Sequence, residues 1–174
     1  MKKKNKCIFF DRDNTLIYDK GYTYKKKDLK WKPYAKKIIK FAIDLDYLVI
    51  VITNQSGVAR GFYNEKQVKK FHFYMNTELK KMNTYINDFF YCPFHIDGIG
   101  KYKKNSNDRK PNNGMLIKAI KKWDIDIQYS YFVGDKLSDF HAAKKTKIKY
   151  INGKKLDHFF NKLKTLKLSK INQE

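Results

Sequence analysis

Residues 8–17 read Ile8-Phe9-Phe10-Asp11-Arg12-Asp13-Asn14-Thr15-Leu16-Ile17. Ile8, Phe9 and Phe10 form an apolar run suited to a short strand buried on both faces, and the run stops at a carboxylate, Asp11. In an open α/β sheet the carboxyl edge is where ligands bind, so a strand of this kind delivers Asp11 to the functional edge. Asp13 follows as the chain turns. Two carboxylates this close repel unless one is protonated or a cation lies between them, and magnesium takes oxygen ligands of this type. The pairing points to phosphate chemistry.

The same pattern recurs downstream. Leu48-Val49-Ile50-Val51-Ile52 is a second buried strand, ending at the polar loop Thr53-Asn54-Gln55-Ser56-Gly57. Ile86 to Tyr91 reads as a third strand. Tyr131-Phe132-Val133 is a fourth, and it ends at Gly134-Asp135. Ile148 to Ile151 is a short fifth strand. Between them lie helical patterns: Pro33 in a first turn with Ala35, Ile38, Ile39, Ala42 and Leu45 inward; Asn64 as a cap with Gln67 three residues on; Asn112 to Trp123; Leu137 to Lys145; and Leu156 to Leu168. Alternating strands and helices argue for a Rossmann-like α/β fold, a parallel sheet covered by helices on both faces. No insertion is large enough for a separate cap domain, so residues 1–174 are read as one domain.

Composition narrows the class. A chain of 174 residues with 42% hydrophobic and 32% charged residues can build a true core. Cys7 and Cys92 are the only cysteines, and the apolar run after Lys2 to Lys6 is too short for a signal peptide, so a cytoplasmic protein without membrane contact is expected. The formal charge of +22 invites a nucleic-acid reading. Nearly all of the excess is lysine, however, spread over helical faces, as an AT-rich coding sequence produces, so nucleic-acid binding is not expected. A monomer is the expected state.

Asp-x-Asp-x-Thr after a buried strand resembles the haloacid dehalogenase superfamily of phosphohydrolases. Phe10 to Asp13, Asp19-Lys20-Gly21-Tyr22, Thr53 to Gly57, Arg109-Lys110-Pro111 and Gly134-Asp135-Lys136 are similar, in order and spacing, to the heptose 1,7-bisphosphate 7-phosphatases within it, from about Cys7 to about Ala143. The resemblance implies the following roles. Asp11 is the nucleophile that forms an aspartyl-phosphate, and Asp13 the acid and base. Thr53 and Lys110 stabilise the phosphoryl oxygens. Asp19, Lys20, Gly21, Tyr22, Asn54, Gln55, Ser56, Arg109 and Lys136 contact substrate. Asp11, the backbone carbonyl of Asp13, and Asp135 hold magnesium. The implied reaction removes the 7-phosphate from a heptose bisphosphate on the way to lipopolysaccharide. Histidinol-phosphate phosphatase, DNA 3'-phosphatase and a silent binding protein of the same fold are the alternatives.

Three positions remain open. Asp139 is either a first-turn helix acid or a group that orients Lys110. Asn14 stands where the family has glycine, in a turn requiring positive φ, which asparagine tolerates. The family also carries a Cys-x-His and Cys-x-Cys zinc site, whose positions here are Cys92, Phe94, Ser106 and Asp108. Only Cys92 remains, with His95 and Asp108 nearby, and zinc is not expected.

Overall fold

The first strand, β1, spans Cys7–Phe10, and all four side chains are fully buried. Alternation sends Ile8 and Phe10 to one core and Cys7 and Phe9 to another, as a two-residue period requires. The computed structural model describes residues 4–171, with side chains as far as Lys167; Lys2, Lys3 and the Leu168 side chain lie outside the described residues. In chain order α1 (Ala35–Asp44), β2 (Leu48–Asn54), the single turn α2 (Ser56–Ala59), α3 (Glu65–Lys80) and β3 (Asp88–Cys92) follow. Then come α4 (Gly114–Trp123), β4 (Tyr131–Gly134), α5 (Leu137–Lys145), β5 (Lys149–Asn152) and α6 (Leu156–Ile171).

The five strands are parallel, in the order β3-β2-β1-β4-β5. Helices α1, α3 and α6 cover the face carrying Ile8, Phe10, Val49, Val51 and Val133. Helices α4 and α5 cover the face carrying Cys7, Phe9, Ile50, Ile52 and Phe132. Each buried Phe or Ile of the central strands contributes about 1.5–3 kcal/mol. The chain leaves β1 toward β2 and later returns to its other side as β4, so the order reverses at β1 and opens a crevice at the strands' carboxyl ends.

Local differences from the sequence reading have identifiable causes. Helix α1 begins at Ala35, beyond Pro33, because Tyr34 adopts φ 65° and sets its ring 5.0 Å from that of Phe160. Strand β3 begins at Asp88 because the Asn76 side chain satisfies both backbone groups of Ile86. Helix α4 begins at Gly114, whose N–H is taken by the Asn107 carbonyl. The Asn64–Gln67 capping box is present as read. Among the described residues no helix is long and apolar enough to cross a membrane.

Candidate active site

Strand β1 places Asp11 at the crevice, only 4% exposed, with its N–H bonded to the Val133 carbonyl. Strand β2 brings Thr53, and β4 runs into Asp135. Lys110 arrives from the loop after β3. Its backbone is clamped by Asn54, which donates to the Lys110 carbonyl at 3.0 Å and accepts from its N–H at 3.1 Å. Lys110 Nζ then reaches Asp11 Oδ1 at 2.6 Å, Asp139 Oδ1 at 2.7 Å and the Ile52 carbonyl at 2.8 Å. Two of its N–H groups donate to Asp11 and the Ile52 carbonyl, while Asp139 Oδ1 is an ion-pair partner without a hydrogen bond of its own.

Burial pushes the Asp11 carboxyl up to about 7; Lys110 opposes the shift, while Asp139 and Asp13 add to it. For Lys110, burial favours the neutral amine, yet the two carboxylates outweigh it and hold the group above its ordinary range. It is a permanent cation. Both readings of Asp139 describe it: Oδ1 meets Lys110, and Oδ2 accepts the Lys136 N–H at 3.0 Å where α5 begins. A side chain on Gly134 would stand 2.5 Å from Asp139 Cβ, so this approach requires glycine.

Asp11, Asp135 and Asp139 each offer an oxygen within 4.8 Å of the others. Lys110 and the Lys136 N–H engage both oxygens of Asp139, whereas Lys110 engages only Oδ1 of Asp11 and Thr15 only Oδ1 of Asp135, so the second oxygens of Asp11 and Asp135 are the hard donors turned to a cation. Asp135 Oδ1 accepts from the buried Thr15 hydroxyl at 3.0 Å, which orients it. This donor set fits magnesium, and a divalent cation beside Asp11 restores the ionised carboxylate that burial disfavours.

Asp13 is held by a different set of partners. Arg12 Nε donates to its Oδ1 at 2.8 Å, Arg12 Nη2 to its Oδ2 at 3.0 Å, and Gln55 Nε2 to the same Oδ2 at 2.9 Å. Arg12 itself is fully buried, bonded to the Thr23 carbonyl, lying over the Phe71 ring and next to His72. Arg12 thereby holds the Asp13 carboxylate, a part not among those expected from the sequence. Its signal was available, a cation between two acids of the motif, but its burial was not.

Asn14 adopts φ 61°, and its side-chain oxygen accepts the Asp19 N–H. Asp19 in turn accepts from the Thr23 N–H and hydroxyl, closing the loop that presents Lys20, Gly21 and Tyr22 at its exposed tip. Tyr22 packs on Phe62, their centroids 4.6 Å apart. Arg109 gives one N–H to the Phe94 carbonyl, and Ser56 opens α2 at the crevice. The Asn54 amide is committed to the Lys110 backbone, and Gln55 is 1% exposed with its amide bonded to protein.

The loop from Cys92 to Lys110 carries its own ties. The Ile99 N–H meets the Ala59 carbonyl, and the two Glu65 oxygens accept from Tyr91 and Tyr102. Asp108 is paired with Lys118, and the His95 ring accepts the Asp97 N–H. Burial holds the Cys92 thiol above its ordinary range. Of the other positions that match the family's zinc ligands, Phe94 and Ser106 offer neither nitrogen nor sulfur, the donors a tetrahedral zinc takes.

A family model described as polynucleotide kinase 3 phosphatase matches residues 6–167. The D-glycero-beta-D-manno-heptose-1,7-bisphosphate 7-phosphatase of Haemophilus influenzae is 37% identical over 83% of this chain and 79% of its own length. The D-glycero-alpha-D-manno-heptose-1,7-bisphosphate 7-phosphatase of Campylobacter jejuni is 36% identical over 94% of this chain and 93% of its own. The crystal structure of D,D-heptose 1,7-bisphosphate phosphatase from B. bronchiseptica, complexed with magnesium and phosphate, superposes with a TM-score of 0.76. It is 28% identical, over 86% of this chain and 84% of that one. The chain therefore belongs to the haloacid dehalogenase-like phosphatases, in the polynucleotide kinase 3 phosphatase family, alongside the heptose 1,7-bisphosphate 7-phosphatases.

Proposed function

We propose that the chain, acting as a single domain without a separate cap, is a phosphoric monoester hydrolase that removes the 7-phosphate of D-glycero-D-manno-heptose 1,7-bisphosphate. One observation carries the chemistry: a buried ammonium joins Asp11 and Asp139 where Asp135 also reaches the crevice. The substrate class rests on the relatives' names.

A carboxylate oxygen of Asp11 attacks phosphorus, and the bond from phosphorus to the sugar oxygen breaks. Asp13 gives the leaving oxygen its proton, then takes one from the water that attacks the aspartyl-phosphate and frees inorganic phosphate. A carboxylate offers about four acceptor positions. Arg12 and Gln55 occupy three of those on Asp13, one on Oδ1 and two on Oδ2, which supports Oδ1 as the carrier of the shuttled proton. Lys110 and the Thr53 hydroxyl face the charge that develops on the phosphoryl oxygens. Magnesium, held by Asp11, Asp135 and the Asp13 backbone carbonyl, supplies charge neutralisation when bound. Tyr22, Lys20, Ser56, Arg109 and Lys136 surround the sugar and its second phosphate, and the chain works without zinc, as a monomer.

The family description favours a second reading, a polynucleotide 3'-phosphate as substrate. Phosphate release from the alpha and beta heptose 1,7-bisphosphates, histidinol phosphate and a 3'-phosphorylated oligonucleotide separates the readings. The heptose bisphosphates should show the highest kcat/KM; a higher value for the oligonucleotide, with steep salt dependence, reverses the assignment.

A further inference from the structure

Asp13 and Thr53 are joined by a buried chain of polar groups whose far end, Tyr63, has no part in the reaction as written. The Tyr63 hydroxyl donates to Gln55 Oε1 at 2.7 Å, and Gln55 Nε2 donates to Asp13 Oδ2 and to Thr53 Oγ1, each at 2.9 Å. Tyr63 is 6% exposed, Gln55 1% and Thr53 0%, so water does not replace a lost partner. The ring is fixed by stacking on Tyr24, with centroids 4.7 Å apart. Its hydroxyl comes so close only because residue 57 is glycine: a Cβ there would lie 2.3 Å from the ring and 2.7 Å from the hydroxyl oxygen.

The chemistry of an amide explains what this chain does. Gln55 has an oxygen end and a nitrogen end that exchange by rotation, and only the nitrogen end is compatible with the Asp13 carboxylate. With two N–H groups given to Asp13 and Thr53, the oxygen faces inward and needs a donor, which Tyr63 supplies. Burial and the neighbouring carboxylates of Asp13 and Asp19 keep that phenol protonated, against the opposing pull of Arg12. Thr53, accepting from Gln55, has its own hydroxyl hydrogen free for a phosphoryl oxygen.

We propose that Tyr63 is a positioning residue for the phosphatase reaction, acting through Gln55 to hold the Asp13 carboxylate and to aim the Thr53 hydroxyl. The proposal rests on the catalytic roles given above to Asp13 and Thr53, and it adds Tyr63 and Gln55 as the groups that set their geometry.

Tyr63→Phe removes one oxygen and keeps the ring. On heptose 1,7-bisphosphate it should lower kcat by roughly tenfold while KM stays within about twofold. On an aryl phosphate, whose leaving group needs no proton, the loss in phospho-enzyme formation should be several-fold smaller. Gln55→Leu should cost at least as much, and Tyr63→Phe added to Gln55→Leu should cost nothing more, because the hydroxyl then has nothing to act on. Gly57→Ala, which pushes the Tyr63 ring aside, should reproduce the Tyr63→Phe pattern with the hydroxyl still present. Additive losses in the double variant, an equal loss on both esters, or Tyr63→Phe activity within twofold of the parent overturns the proposal. If the parent hydrolyses the aryl ester but not the heptose bisphosphate, the substrate assignment fails. The Tyr63 cycle is then read on the alkyl phosphate the parent does accept.

Discussion

Lys110→Met is the sharpest perturbation of this site, because it separates the stabilising role of the buried charge triad from its catalytic role. Lys110, Asp11 and Asp139 are 4%, 4% and 0% exposed, and the ammonium lies 2.6 and 2.7 Å from the two carboxylates. Removing one partner of a buried ion pair costs about 3–5 kcal/mol, chiefly because the remaining charge is left uncompensated. For a chain of this length each kcal/mol shifts Tm by roughly 2–4 °C, so a fall of roughly 6–20 °C is expected. The assay is thermal and urea unfolding in EDTA at pH 8. At pH 5 the loss should shrink, because without the ammonium the carboxyl pair takes up a proton more readily. Adding Asp139→Asn, which keeps the acceptor for the Lys136 N–H, should recover at least half of the lost stability while activity stays abolished. If Lys110→Met is within about 1 kcal/mol of the parent at pH 8, or if the second substitution recovers nothing, the triad does not work by charge compensation.

Further outcomes follow from the same geometry. Asp11→Asn should abolish phospho-enzyme and turnover, whereas Asp13→Asn should lose on the order of 100-fold or more and regain part of the first step with a good leaving group. Covalent phosphate on the Asp11→Asn enzyme would refute the assignment. Because the folded Asp11 is raised to about 7, its carboxyl contributes stability that is fully present below about pH 4 and is lost as pH rises through 7. Metal-free parent should therefore lose stability relative to Asp11→Asn between pH 4 and 7, and magnesium should stabilise the parent more at pH 8 than at pH 5. A flat difference between parent and Asp11→Asn across that range contradicts the buried-carboxyl account. For the loop from Cys92 to Lys110, elemental analysis should find no stoichiometric zinc, and Glu65→Ala, which removes the acceptor of two tyrosine hydroxyls, should lower Tm by several degrees. About one tightly held zinc per chain counts against the hydrogen-bonded loop.

The apolar runs of β1, β2 and β4 were legible in the sequence, because strands buried on both faces need continuous apolar side chains. So was the carboxylate or polar loop that ends each of them. The parallel sheet followed from the alternation of these runs with helical stripes, and Asp11, Thr53, Lys110 and Asp135 could be named from motif and order. What the sequence alone left open is which way each polar group faces. Asp13 lies two residues from Asp11, yet its carboxylate is turned toward Arg12 and Gln55. Asn54 and Gln55 stand beside Thr53 in the chain, but their amides are spent on the Lys110 backbone and on Asp13 and Tyr63. Asp139 could be an N-terminal helix acid in any sequence, and only the fold brings Lys110 to 2.7 Å from it. The physical reason is common to all four. Apolar burial is encoded locally by periodicity, whereas a buried hydrogen bond or ion pair is satisfied by whichever partner the tertiary fold brings within about 3 Å, often many residues away.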